Sequence, residues 1–286
     1  MGSTMVTKEE IARLIDELKN NHQFDFSNYA EQSFSRRIDY VLTSYGLDSV
    51  DALLDRLRRG RLVPEKLVND ITVNTTELFR DPEVWINLKR NILPILKKKD
   101  AIGIWHAGCS SGEEVYSMLI LLAEAGMLDK TRMFATDINT EILEKARAAR
   151  YNYRLHNSYF DNFDKVMKFN PLNELEEIKV DYAKYFDLNS GESYFQVKQF
   201  LKNNLILRQH NLLSNNIFYK FDLIFCRNVI IYFNTELQNR VIQSFWDSMF
   251  TNGMLLLGSH ESLAYLPIAS KFENKMMRGC YLRKDG

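Results

Sequence analysis

The stretch Ile102–Ser117, IGIWHAGCSSGEEVYS, constrains this chain more than any other, because it reads as a buried strand, a glycine turn and a helix start in direct succession. Ile102, Ile104 and Trp105 make the short apolar run of a strand covered on both faces, as at the centre of a parallel sheet. Gly108 and Gly112 bracket Cys109, Ser110 and Ser111, small residues that let a ligand approach the backbone closely. Glu113 and Glu114 then open a helix whose apolar face is Val115, Met118, Leu119 and Leu122. A phosphate-binding turn leaves its first helical turn free of acid, because the N–H groups and helix dipole there attract the anion. Two glutamates in that place fit a ligand with amino or hydroxyl donors, or with a positive charge, such as S-adenosylmethionine. The plainer alternative is a structural turn whose helix is stabilised by acid at its positive end.

With 286 residues the chain can hold one large or two moderate domains. Residues 5–73 carry apolar positions at helical spacing: Ile11, Leu14, Ile15 and Leu18, then Ile38, Val41 and Leu42, then Leu53, Leu54 and Leu57. Gly46 and Gly60 read as helix ends, and Asp48 or Ser49 as a cap. Arg56, Arg58, Arg59 and Arg61 form a local basic patch, either a solvated face near a helix end or a dock for an acidic partner. From residue 74 the texture changes. Predicted strands at 101–107, 132–137, 205–210, 221–226, 253–258 and 278–283 alternate with helices at 82–97, 112–125, 139–149 and 235–250. That alternation implies a largely parallel sheet flanked by helices. Residues 151–200 are rich in tyrosine and phenylalanine without long periodicity, and YFDLNSGESYFQVKQFL (185–201) predicts a hairpin turning at Asn189–Gly191.

Bulk properties exclude several functions. Lys plus Arg and Asp plus Glu both number 37, so the net charge is zero and argues against a nucleic-acid or membrane-surface binder. No apolar run approaches the roughly 18 residues of a membrane span, and a signal-peptide core is missing, so no membrane insertion is expected. Cys109, Cys226 and Cys280 are too widely spaced for a metal site or a disulfide framework, which fits a reducing cytoplasm. The five histidines make no HxH or HExxH cluster, and no metal is expected.

Three further stations carry chemistry. Asp137 ends the strand of RMFATDI, where an acid can accept hydrogen bonds from ribose hydroxyls; capping the helix of NTEILEKARAA is its alternative role. In FDLIFCRNVIIYF (221–233), Cys226, Arg227, Asn228 and Tyr232 follow a buried strand at its carboxyl end, where open sheets bind ligands. Cys226 reads as a buried structural thiol, since no general base is near it in sequence. NTTELFRD (74–81) begins like a helix cap at Asn74, Thr75 and Thr76, but Phe79, Arg80, Asp81, Pro82 and Trp85 are richer than capping requires.

In this order the segments resemble the CheR-type chemoreceptor glutamate methyltransferases. NTTELFRD is similar to that family's NTTEFFRD-like signature, with Leu78 for an aromatic residue, and GCSSGEEVYS to its GCSTGEEPYS-like turn, with Val115 for a proline. ATDINTEILEKAR, FDLIFCRNVIIYF and LLLGSHESL match as well, and the resemblance runs from about residue 25 to 283. It implies an α/β chain: a Rossmann-like S-adenosylmethionine-dependent methyltransferase domain at 74–286, an all-helical N-terminal domain at 1–73 for substrate recognition, and a small inserted β-subdomain near 185–201. It also implies roles. Asn74, Thr76 and Arg80 would border cofactor and active site, Gly108 would line the turn, and Glu113 would face the methionine end of S-adenosylmethionine. Asp137 would hold the ribose, Asn211 and Leu212 would line the adenine, and Arg227 and Asn228 would hold the cofactor from the next strand. Arg80 and Tyr232 would serve catalysis.

The residue types suit methylation of a carboxylate. A glutamate side chain has an ordinary pKa of ~4.3 and is already ionised at neutral pH, so no general base is needed. Placement and exclusion of water then carry the rate. Arg80 could hold the carboxylate by charge-assisted hydrogen bonds. The implied partners are cytoplasmic helices of chemoreceptors, or a related acidic helical protein, met by a cytoplasmic monomer that forms S-adenosylhomocysteine. SRRIDYVLTSYG (35–46) departs from the markedly basic helix of receptor-binding relatives: Arg36 and Arg37 remain, but Asp39, Tyr40 and Val41 follow. A cofactor-binding sensor or scaffold is therefore one alternative, and a methyltransferase for another acceptor a second. A dehydrogenase fits least, because its pyrophosphate would meet Glu113 and Glu114.

Overall fold

The structure, a computed structural model, describes residues 6–22, 24–72, 76–153, 158–189, 191, 193–213, 219–274 and 277–284. The chain divides into two units: Met1–Val73 with Val229–Arg240, and Asn74–Asn228 with Val241–Gly286.

In the first unit the helical spacing becomes four helices: α1 (Lys8–His22), α2 (Glu31–Tyr45), α3 (Val50–Arg58) and α4 (Pro64–Ile71). Their apolar stripes, Leu14 and Leu18, Phe34, Ile38 and Val41, Leu53 and Leu54, Leu67 and Val68, meet in one buried cluster. Gly46 ends α2 in the left-handed conformation, and Ser49, rather than Asp48, caps α3 by accepting the Ala52 N–H at 3.2 Å. The arginine patch is largely used within the unit: Arg58 pairs with Glu17 at 2.7 Å and Arg59 with Asp55 at 2.6 Å. Arg37 turns onto the last carbonyls of α4, donating to Ile71 O at 2.8 Å and Asp70 O at 2.7 Å, with its guanidinium over the Tyr40 ring. It completes a helix terminus that would otherwise leave carbonyls unpaired. Arg36 stays exposed.

The second unit opens on α5 (Pro82–Asn87), a π-turn at Leu88–Ile92 and α6 (Leu93–Lys97). There follow β1 (Ile102–Ala107), α7 (Glu113–Glu124), β2 (Thr131–Asp137), α8 (Thr140–Ala148), β3 (Arg150–Asn152) and α9 (Ser158–Lys168). Next come β4 (Phe186–Asn189), β5 (Tyr194–Val197), β6 (Leu205–Gln209), β7 (Phe221–Cys226), α10 (Thr235–Asp247), β8 (Met249–Leu257), β9 (Phe272–Asn274) and β10 (Cys280–Arg283). The division between units falls within α10. The main sheet runs β6-β2-β1-β7-β8-β10-β9, parallel from β6 to β8 and antiparallel over β10 and β9. The order reverses at β1 and β7, whose residues are buried at every position, so both faces of the sheet are covered there. In such a sheet ligands bind beyond the carboxyl ends of the strands at that reversal.

The predicted hairpin is β4 with β5, and β3 joins it to make a three-stranded antiparallel sheet. Neither β3 nor α9 was expected between residues 151 and 184. Ser190 and Glu192, in the expected turn, lie outside the described residues.

Candidate cofactor and active site

Within the second unit, three segments converge at the carboxyl ends of β1, β2 and β7. The first is the turn after β1. The Gly108 and Cys109 N–H groups both donate to Thr136 O, at 2.8 and 2.9 Å, which fixes the turn to the end of β2. Gly108, Ser110 and Gly112 have φ of +77°, +50° and +94°. At Gly112 a side chain would meet Ala146 Cβ at 3.0 Å and Tyr151 Oη at 3.2 Å, so the position needs glycine for both conformation and space. Ser110 Oγ is buried and has no hydrogen-bond partner among the described residues.

The two glutamates after this turn go separate ways. Glu114 bonds to His106 Nδ1 at 3.0 Å and to Arg227 at 2.9 Å. Burial works to raise it, but the His106 hydrogen bond and the Arg227 charge outweigh that and hold the carboxyl below its ordinary value. Glu113, 4% exposed, accepts instead from Ser111 Oγ at 2.6 Å and Tyr159 Oη at 2.9 Å. Burial pushes it up to about 7, against the pull of those hydrogen bonds. Of the two, Glu113 is the one whose carboxyl no protein cation answers.

The second segment surrounds Asp137. Its carboxylate accepts from the Ser110 N–H at 2.9 Å and the Asn139 N–H at 3.0 Å, and burial raises it above its ordinary value. The helix cap of α8 is Asn139, which accepts from the Ile142 N–H. The Ile138 N–H adds to these, and the two Asp137 oxygens still keep acceptor capacity. Asp137 pairs in register with Gln209 of β6, and its carbonyl accepts the His210 N–H, which brings Asn211 and Leu212 to the same edge. Asn211 Oδ1 accepts from the Leu213 N–H at 2.9 Å.

The third segment joins Thr76–Asp81 to Arg227 and Asn228. Asn74 and Thr75 lie outside the described residues, and no helix starts at Thr76: the next, α5, begins at Pro82. Phe79 and Asp81 have φ of +52° and +57°, on either side of Arg80. Such conformations cost ~1–3 kcal/mol each in a non-glycine residue and persist only where the surroundings enforce them. Here Phe79 is fully buried against Trp85 and Phe163, with its N–H donated to Ser117 Oγ at 2.8 Å. Asp81 is held by Arg227 at 2.7 Å. Arg227, its side chain 1% exposed, therefore bridges Asp81 and Glu114 and also reaches the Arg80 carbonyl at 3.4 Å. Its guanidinium is committed to the protein. Asn228, at φ +60°, gives its N–H to Glu261 Oε2 at 2.9 Å, and the same oxygen accepts the Gly258 N–H at 2.6 Å. A side chain on Gly258 would come within 2.7 Å of that oxygen. Of seven non-glycine residues at positive φ among the described residues, four (Phe79, Asp81, Ser110 and Asn228) lie in these segments, and strain of this kind gathers at functional sites.

Tyr232 belongs to the first unit, where it ends the turn Ile230–Tyr232 and accepts the Ala30 N–H at 2.8 Å on its carbonyl. Cys109 and Cys226 are buried, and desolvation pushes both thiols well above their ordinary value, so neither is a nucleophile. Among the described residues no group of acidic, histidine and cysteine side chains could hold a metal ion, and no helix is long and apolar enough to cross a membrane.

The residues of the turn suit S-adenosylmethionine: a buried carboxylate with spare acceptor capacity at Glu113, a second at Asp137, and an unpartnered hydroxyl at Ser110 between them. Comparison with known proteins agrees. The family model described as CheR methyltransferase, SAM binding domain matches residues 74–162 and 166–278, and CheR methyltransferase, all-alpha domain matches 9–72. Cher3 of Pseudomonas putida is 34% identical over 96% of both chains. Two proteins named chemotaxis protein methyltransferase are similar too: one from Borreliella burgdorferi, 30% identical over 90% of this chain and 89% of its own, and one from Vibrio parahaemolyticus, 32% identical over 83% and 82%. The chain belongs to the CheR methyltransferase family and is an S-adenosylmethionine-dependent methyltransferase with an all-helical N-terminal domain.

Proposed function

We propose that this enzyme acts in chemotaxis, in the cytoplasm, methylating glutamate side chains on signalling helices of chemoreceptors. One observation carries the reading. Arg227 pairs at once with Asp81, next to Arg80, and with Glu114, next to Glu113. An arginine suited to an acceptor carboxylate and a carboxylate suited to a donor ammonium are thereby tied to one sheet edge. When bound, S-adenosylmethionine supplies the sulfonium methyl that the acceptor carboxylate takes, leaving S-adenosylhomocysteine. Glu113 holds its methionine end, Asp137 its ribose, Asn211 and Leu212 its adenine, with Asn74, Thr76, Gly108 and Asn228 around it. Arg227 acts through Asp81 and Glu114 rather than by touching the cofactor.

Arg80 holds the acceptor carboxylate, while the helical domain recognises the helix that bears it. An acceptor glutamate is ionised at neutral pH without help, so the enzyme's task is alignment and exclusion of water. Arg37 narrows the acceptor surface, because its guanidinium serves α4 and leaves Arg36 as the exposed cation of that pair.

The test is transfer of labelled methyl to purified receptor cytoplasmic domains, followed by mapping of base-labile methyl esters. Esters on glutamates of the receptor helices are expected. S-adenosylmethionine binding with no ester on any receptor domain would instead place the protein as a sensor or as an enzyme for another acidic helical protein.

A further inference from the structure

Glu113 is held by two hydroxyls of different origin. Ser111 belongs to the same turn, whereas Tyr159 comes from the first turn of α9, 46 residues further on. Each bond takes one lone pair of one carboxylate oxygen and leaves another for a ligand. Tyr159 is itself fully buried, its ring 6.0 Å from that of Phe195. The helix that carries it is pinned at both ends. At its start, Ser158 Oγ donates to Glu77 Oε2 at 3.0 Å; at its end, Lys89 Nζ donates to Val166 O at 2.8 Å and Phe169 O at 2.5 Å. From β3, Tyr151 Oη donates to Ser111 O at 2.6 Å. Three hydroxyls between residues 151 and 159 thus fasten the cofactor turn at Ser111 and Glu113, and the segment leading to Arg80 at Glu77.

We propose that Tyr159 is a positioning residue: it fixes the Glu113 carboxylate where it receives the ammonium group of S-adenosylmethionine. This rests on the reading above that Glu113 faces the methionine end. The titratable groups facing Glu113 include Glu77 from the segment before α5, Cys109 from the turn, Tyr116 from its own helix, Tyr151 from β3 and Tyr159 from α9. All are neutral or acidic at pH 7, and Glu114 is answered by Arg227. A ligand ammonium supplies the countercharge, and it is held best when Glu113 is ionised. Loss of the Tyr159 hydroxyl removes a donor to the ionised form, so Glu113 titrates at higher pH and points less firmly at the ligand.

Calorimetric titration of the whole protein with S-adenosylmethionine between pH 6 and 8, in two buffers of different ionisation enthalpy, reads both affinity and protons released. With Glu113 titrating near 7 and the ligand's amine near ~8, wild-type affinity rises about fivefold across that span, with release of protons below about pH 7.5. The ligand's own α-amino group titrates near ~8, and comparing variants at equal pH removes it. Tyr159→Phe is expected to move the midpoint to higher pH, weaken binding at pH 7 several-fold and leave turnover at saturating cofactor within about twofold. Ser111→Ala, which removes the other donor, shifts the midpoint the same way and serves if Tyr159→Phe melts early. A Tyr159→Phe midpoint and affinity equal to wild type overturn the positioning role. Glu113→Gln separates the two readings: wild-type affinity in that variant overturns the assignment of Glu113 itself, whereas weak binding that releases no protons upholds it.

Discussion

At the amino ends of β1 and β7, Asp222 is 4% exposed; one oxygen accepts the Gly103 N–H at 2.8 Å and the other pairs with Lys99 at 2.8 Å. At the carboxyl ends of the same strands, Ser110 Oγ is buried without a partner among the described residues, and Glu113 is pushed up to about 7. The difference is that one end closes its buried polar groups on the protein while the other keeps some of them for a ligand. An unmet buried polar group costs ~1–3 kcal/mol, and such a cost persists where binding later removes it.

This contrast can be broken in four ways. Arg227→Met leaves Asp81 and Glu114 without their cation, and should lower stability by ~3–5 kcal/mol in urea unfolding; a loss below 1 kcal/mol would show that the bridge does not organise the edge. Arg80→Ala should cut turnover about 100- to 1,000-fold while the fold survives, and near-normal methyl transfer by that variant would remove Arg80 from the chemistry. Asp222→Ala, at the opposite edge, should cost ~2–3 kcal/mol yet leave the cofactor affinity of the folded protein unaltered. A weakened affinity there would mean that the two edges are coupled.

The smallest effect depends on pH. Glu113 titrates higher in the folded chain than its ordinary value, so the folded state holds the proton more tightly and stability falls as pH rises from about 4.5 through 7. Glu113→Gln should therefore stabilise the ligand-free protein at pH 8, by up to ~3 kcal/mol, and not at pH 4. Melting curves at the two pH values decide it; an equal shift at both would assign the effect to packing.

Much of the second unit was legible because alternation leaves strong marks. The six expected strands and the helices after β1, β2 and β7 are present, and a seventh short strand, β9, extends the sheet. The miss at α9 has an identifiable cause. Tyr159, Phe163, Val166 and Met167 recur at helical spacing, but they sit in a segment so rich in aromatic and charged residues that the period is masked. The residue that holds Glu113 was hidden with it. Arg227 was legible as a site residue and not by its task, since its partners Asp81 and Glu114 lie 146 and 113 positions away.

Residue chemistry alone determined that a strand, a glycine turn and an acid-led helix occur together, that Cys226 follows a strand as a structural thiol and that an arginine waits at residue 80. What only the tertiary structure decided is which glutamate serves the ligand. Neighbours on an α-helix point about 100° apart. Glu114 therefore swings toward His106 and Arg227 beneath the edge, while Glu113 swings toward Ser111 and Tyr159. Two identical side chains acquire opposite proton affinities because one finds a buried cation and the other finds only hydroxyls.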